Sequence, residues 1–313
     1  MAVKLKMPLC ALVLVVLALS AGCAASGRLP YVDLEKTNPP ESSVSDSENP
    51  VIPANTLRIA VSPTLSQNET INAFREISLY LGEKLGRNAV LLEKKSYSEI
   101  NALLANGAAD IAFLANGAYN AYSQLEEIEP LVMQVRFGVP YYHSYIIVPK
   151  DSPAQSLQDL RGKTFAFTDP LSFSGYLVPV YMLKQIGEKP EKLFSNYIFT
   201  YSHQKALQAV ANKVVDGASI GSHVYNESVE KKDGLSDLVK IIAISEKSGT
   251  GPVVVRKSLG ASDIQILRQA FLHMHEEASL ADALATLLVD YYVEPDESLY
   301  EFPRKIIEEL GDP

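Results

Sequence analysis

The segment TDPLSFSGYLVP, Thr168 to Pro179, concentrates the groups best suited to chemistry in this chain. A strand pattern ends there, a proline turn follows, and Ser172, Phe173, Ser174 and Gly175 open an apolar helix. A helix start leaves backbone N–H groups unpaired and carries the positive end of the helix dipole, so it can hold an oxyanion without a formal positive charge. Ser172 and Ser174 add hydroxyl donors, and Gly175 permits close approach to the backbone. The same residues also read as a plain serine cap on a helix. Other chemistry is poorly supported. No H-E-x-x-H, Walker loop or G-x-G-x-x-G occurs. His273 and His275 are two apart on an expected helix and point apart, which does not suit one metal. Nothing in the spacing supports a triad of Ser174, His203 and Asp216.

The elements that must position these groups alternate. LRIAVSP opens a strand pattern after Thr56, and INAFREISLYLGEKLG puts Ile71, Phe74, Ile77, Leu81 and Leu85 on one helical stripe ended by Gly86. NAVLLEK, SYSEINALLANG, DIAFL, NGAYNAYSQL, PLVMQVRF and SYIIV continue the alternation, which predicts an α/β fold with a largely parallel sheet. A second set follows from Lys150: TFAFT, YIFTYS and VDGASI as strands, with SFSGYLVPVYMLKQIG, HQKALQAVANK and SHVYNESVEK as helices. LVKIIAIS and GPVVVRK return two strands, and helices are expected from about Ser262 to Val293 and from Pro303 to Leu310. This order predicts two lobes joined by crossing strands.

SYSEINALLANGAADIAFL, YYHSYIIVPKDSPAQSLQDLRGKTFAFTDPLSFSGYLVP and YSHQKALQAVANKVVDGAS together resemble the phosphate, phosphite and phosphonate substrate-binding proteins of ABC importers, from about Leu57 to Lys257. The resemblance implies an α/β, two-lobed periplasmic-binding-protein fold of type II, with two hinge strands and lobe closure on a ligand. Its implied division is lobe 1 at 56–143 plus 248–313 and lobe 2 at 144–247. Carried across by position, the oxyanion loop falls on Ser172, Ser174 and the N–H groups up to Gly175, the first-lobe tyrosine on Tyr97, the hinge-side tyrosine on Tyr142, and the phosphonate-contacting histidine on His203. A histidine protonated beside a dianion would gain a charge-assisted bond. Two positions depart from the pattern. Phe173 stands where the family's loop carries a second hydroxyl, and His223 and Gly251 stand where aminophosphonate binders place carboxylates. The implied ligand is therefore a compact phosphorus oxyanion (phosphate, phosphite or a simple alkylphosphonate), with His223 as an added donor and no balance for an amine. No cofactor or metal and no enzymatic turnover is implied, and the partner is an ABC permease. A sensor presenting the bound ligand to a membrane receptor or kinase is the alternative.

The chain's beginning supplies an address. Lys4 and Lys6 precede an apolar run from Leu9 to Leu19, the proportions of a secretory signal peptide at 1–22. LSAGC resembles a bacterial lipobox, making Cys23 the lipid-carrying residue, although Ser20 stands where an aliphatic residue is usual. Five prolines and ESSVSDSENP make 23–55 an extended tether. These features predict a domain lipid-anchored outside the cytoplasmic membrane, and it is expected to be a monomer. Residues 1–22 hold two lysines and no carboxylate, so their removal takes the net charge from −9 to −11. That balance excludes a basic nucleic-acid binder. It does not exclude an anionic ligand, because surface charge is screened beyond about 8–10 Å at physiological salt.

Overall fold

A computed structural model describes residue 53, residues 55–62 and residues 67–311. The expected signal peptide, Cys23 and the tether, apart from Pro53 and Asn55, lie outside the described residues.

The chain begins with β1 (Thr56–Val61), α1 (Gln67–Leu85), β2 (Asn88–Glu93), α2 (Tyr97–Ala105), β3 (Ile111–Phe113), the short α3 (Asn116–Asn120) and β4 (Ile128–Val135). Leu57, Ile59 and Val61 of β1 enter one apolar cluster while Ala60 enters another, so this sheet is covered on both faces. Phe74, Ile77 and Leu81 of α1 supply one cover, and Gly86, at φ +64°, ends that helix. Ser96 and Glu99 form a reciprocal cap that fixes where α2 starts, and hence where Tyr97 sits.

The chain then crosses through β5 (Tyr141–Tyr142) into β6 (Ser144–Pro149), β7 (Thr164–Phe167), α4 (Val178–Gln185), α5 (Pro190–Leu193), β8 (Asn196–Phe199), α6 (His203–Ala211), β9 (Gly217–Gly221), α7 (Ser222–Lys231) and β10 (Val239–Ile244). It returns through β11 (Ser248–Gly249) to β12 (Pro252–Arg256), α8 (Ala261–Leu272), α9 (Ala281–Thr286), β13 (Tyr291–Val293) and α10 (Glu301–Leu310). Two sheets result, ordered β13-β4-β12-β3-β1-β2 and β10-β6-β9-β7-β8. The two crossings pair as a short antiparallel ribbon, Ser248 opposite Tyr142 and Gly249 opposite Tyr141.

Both sheets are mixed rather than largely parallel. β1 runs parallel to β2 and β3, and β7 runs parallel to β8 and β9. The strands that leave or re-enter through the crossing run the other way: β12 is antiparallel to β3 and β4, and β6 to β9 and β10. The helix expected up to Val293 also ends early. Leu288 takes a positive φ after α9, and the chain turns into β13, which closes the edge of the first sheet on β4 with Tyr292 against Phe271.

Candidate functional site

The loop after β7 is locked by its own side chains. Asp169 Oδ1 accepts the Leu171 N–H at 2.8 Å, and Ser172 Oγ accepts the Gly175 N–H at 3.1 Å. Tyr176 and Leu177 both donate to the Ser172 carbonyl at 3.0 Å, so the helix opens with a widened π-type turn over Phe173–Leu177. The Ser174 carbonyl accepts two hydroxyls, Ser144 Oγ of β6 at 2.6 Å and Ser219 Oγ of β9 at 2.5 Å. These bonds hold the Ser174 backbone to the sheet and leave its hydroxyl for the cavity. Phe173 and Ser174 occupy the first positions of the turn, where N–H groups have no acceptor within the helix.

Tyr97, Tyr142, Ser172, Phe173, Ser174, His203 and His223 all line one cavity of about 90 Å³. That is several times the roughly 10–15 Å³ that admits one water, the scale of a compact tetrahedral ion. Gly175 does not line it. A Cβ there would overlap Thr168 Oγ1, so this glycine is needed for the turn to pack on its own strand. Gly251 lines the wall with its backbone, and a Cβ there would overlap the Leu114 carbonyl, so no carboxylate side chain fits. Phe173 is 1% exposed and meets Tyr142 and Phe302 edge-on at 6.1 and 5.8 Å, so it both walls the cavity and ties the loop to α10.

In the protein's own surroundings both histidines are held toward the neutral form, whereas the resemblance implies a His203 protonated beside a dianion. Its Nδ1 accepts the Gly221 N–H at 3.0 Å, which places the proton on Nε2, 3.4 Å from Ser172 Oγ. Burial holds His203 down to about 4. His223 is pushed well below its ordinary range by burial, by Arg136 and by His203. Both rings act as uncharged donors or acceptors. Burial raises Tyr97 and Tyr142 well above the usual phenol range, so both keep their protons and can donate.

Several lining residues were not singled out from the sequence, and three of them carry an amide or a guanidinium. Arg136, Gln134 and Asn116 also line the cavity. The available signal was an alternation: in LVMQVRF, Gln134 and Arg136 are two apart and share a strand face, while Met133 and Val135 are buried. Asn116 Nδ2 donates to Ser248 Oγ at 2.9 Å and to the Gly249 carbonyl at 2.7 Å, pinning α3 to the crossing ribbon.

Ser174, His203 and Asp216 do not form a triad. Asp216 accepts the backbone N–H and hydroxyl of Thr164, away from His203. Gly217, Ser219 and Gly221 spell G-x-S-x-G, but they lie inside β9 with Ser219 buried and bonded to the Ser174 carbonyl. Among the described residues no cluster of three metal-ligating side chains occurs. Among the described residues the polar part of the cavity wall is a set of hydroxyl, imidazole, amide and backbone donors with one guanidinium and no carboxylate, a composition that suits an oxyanion.

Comparison with known proteins agrees with that chemistry. Residues 59–300 match the family described as ABC transporter, phosphonate, periplasmic substrate-binding protein. The chain is 31% identical over 188 residues to the phosphonates-binding periplasmic protein of Escherichia coli, a match covering 54% of each chain, so it spans about half the length of that relative. It is 24% identical over 227 residues to the phosphate-import protein PhnD of Mycolicibacterium smegmatis, covering 69% of this chain and 71% of that one. Among solved structures it is similar to a binding-protein component of an ABC phosphonate transporter from Pseudomonas aeruginosa, with TM-score 0.72, 25% identity, and 80% and 85% of the two chains covered.

Proposed function

The chain belongs to the periplasmic substrate-binding family of phosphonate ABC transporters, and from that premise we propose that it binds a phosphorus oxyanion outside the cytoplasmic membrane and delivers it to a membrane permease. The ligand class is phosphate, phosphite or a simple alkylphosphonate. The observation that carries the reading is the convergence on one small cavity of Tyr97 from the first-sheet lobe, Tyr142 from the crossing, and Ser172, Ser174 and His203 from the second-sheet lobe. The lobes of this reading are 56–143 with 248–313 and 144–247, closing about the β5–β11 ribbon. Relatives named for phosphonates and for phosphate support the class without choosing a member. No carboxylate lines the wall among the described residues, which argues against an aminophosphonate. The LSAGC segment supports a lipid anchor on Cys23. The protein acts as a monomer and without turnover.

Calorimetric titration of the protein, freed of co-purified ligand, tests this with phosphate, phosphite, methylphosphonate, 2-aminoethylphosphonate, sulfate and arsenate. One phosphorus oxyanion is expected to bind at micromolar affinity or tighter, about −8 kcal/mol. Ser174→Ala is expected to weaken it by roughly 1–3 kcal/mol, because a buried ligand oxygen loses its donor. Silence across the panel would overturn the ligand class, and unchanged affinity in Ser174→Ala would overturn the site.

A further inference from the structure

Arg136 follows β4 directly, at the point where the chain leaves the first sheet for the crossing. Gln134 holds one edge of its guanidinium: a single Oε1 accepts from Nε at 2.9 Å and from Nη2 at 2.6 Å. The remaining nitrogen, Nη1, is shut off from solvent and has no hydrogen-bond partner among the described residues. The carboxylates whose charge it feels are engaged elsewhere. Glu227 pairs with Lys231 at 2.6 Å, and Asp290 accepts the Gly138 N–H at 2.7 Å. Tyr142 and Tyr292, which also face it, remain protonated phenols. Among the described residues no carboxylate comes within ion-pair distance of Arg136, whereas Arg58, Arg87 and Arg268 all have such partners.

A buried donor on a cation, left without an acceptor, is costly, and structures keep one where something else supplies the acceptor. Arg136 lines the ligand cavity and also a neighbouring cavity of about 180 Å³, with Tyr142, His223 and Thr250 forming the rest of the shared wall. With both histidines held toward the neutral form, it is the single formally charged side chain among the described residues of the cavity wall.

We propose that Arg136 is the charge partner of the bound anion, its Nη1 donating to a ligand oxygen on the hinge side while Ser172, Ser174 and His203 take the oxygens on the other. The assignment rests on the oxyanion-binding reading and adds to it the source of the compensating charge. One guanidinium balances one negative charge, so the site selects anions over neutral esters of the same shape, and hydrogen-bond donors alone carry any second charge.

Titrations of wild type, Arg136→Gln, Arg136→Lys and Ser174→Ala with methylphosphonate, phosphite and phosphate, together with thermal melts with and without ligand, test the assignment. Arg136→Gln is expected to lose roughly 10- to 100-fold in affinity for whichever anion binds. Arg136→Lys should lose less, since it restores the charge without the fork. The ligand-free melting temperature of Arg136→Gln should stay level or rise, because an uncompensated buried charge has been removed, while the ligand-induced shift collapses. A purely structural arginine would instead lower the ligand-free melt and leave affinity intact in Arg136→Lys. Should Arg136→Gln not fold, the guanidinium 15N resonances of wild-type Arg136 are expected to move on titration with the anion that binds, and unmoved resonances would overturn the proposal. Wild-type binding weakened by Ser174→Ala but untouched in both Arg136 variants overturns this assignment alone. Wild-type silence to every anion overturns the functional reading beneath it.

Discussion

His203 shows what a buried donor costs. It is 4% exposed, its Nδ1 is occupied by the Gly221 N–H, and burial takes it from 6.5 to about 4. Between those values the unfolded chain takes up a proton that the folded chain refuses. Stability therefore rises with pH through that window: it is fully present above 6.5 and drains away as pH falls toward 4. A shift of that size corresponds to about 3 kcal/mol, and His223, displaced in the same direction, adds to it. Thermal melts of the ligand-free protein are expected to fall steadily from pH 7 to pH 5, and His203→Gln should flatten that slope. A variant curve parallel to wild type would mean that His203 titrates normally and is not the sealed donor described above.

At the scale of elements, the ligand loop is supported from behind by a helix that never reaches the cavity. α10 turns Ile306, fully buried, onto Leu177 and Val178, and Phe302 onto Phe173, while Lys184 and Gln185 of α4 bond Glu309. Ile306→Ala removes packing where no water can replace it, for an expected loss of about 2–5 kcal/mol in denaturant unfolding. Because the same contact backs Phe173, ligand affinity should weaken as well; full affinity in a destabilised variant would show that the Ser144 and Ser219 hydroxyls hold the loop without help. The sequence carried the alternation that builds these elements and the serines that open the loop, since both are local patterns. It did not carry β13, because Tyr291–Val293 becomes a strand only when β4 offers an edge, nor the reversed strands, whose direction is set by the crossing. Arg136 was invisible for a related reason: a lone arginine ending an apolar strand reads as a solvent-facing terminus until the fold closes Tyr142, His223 and Thr250 around it.

Across the whole molecule, the two lobes meet not only through α10 but also, at the ligand loop itself, through the carboxylate of Asp169. Its Oδ2 accepts the Tyr97 N–H at 3.2 Å, the first N–H of α2, while its Oδ1 stays on Leu171. Gly117 of α3 lies so close to the Leu171 carbonyl that a Cβ would overlap it. The ligand loop is thus docked on the opposite lobe at a helix N-terminus, where a carboxylate is favoured, though burial works against its charge and raises Asp169 above the usual range. If the binding-competent form is the closed one, apparent affinity scales with the fraction closed, so loosening this contact weakens binding without touching the ligand. Asp169→Asn tests that coupling, because an amide can keep the Leu171 bond while turning an NH2 toward Tyr97. Affinity for the bound anion is expected to fall roughly 10- to 150-fold, the worth of one buried charge-assisted bond. The ligand-free radius of gyration by small-angle scattering should grow while the melting temperature holds. Unchanged scattering with full affinity would place the closing free energy in the ligand alone, with the Asp169 bridge a bystander to it.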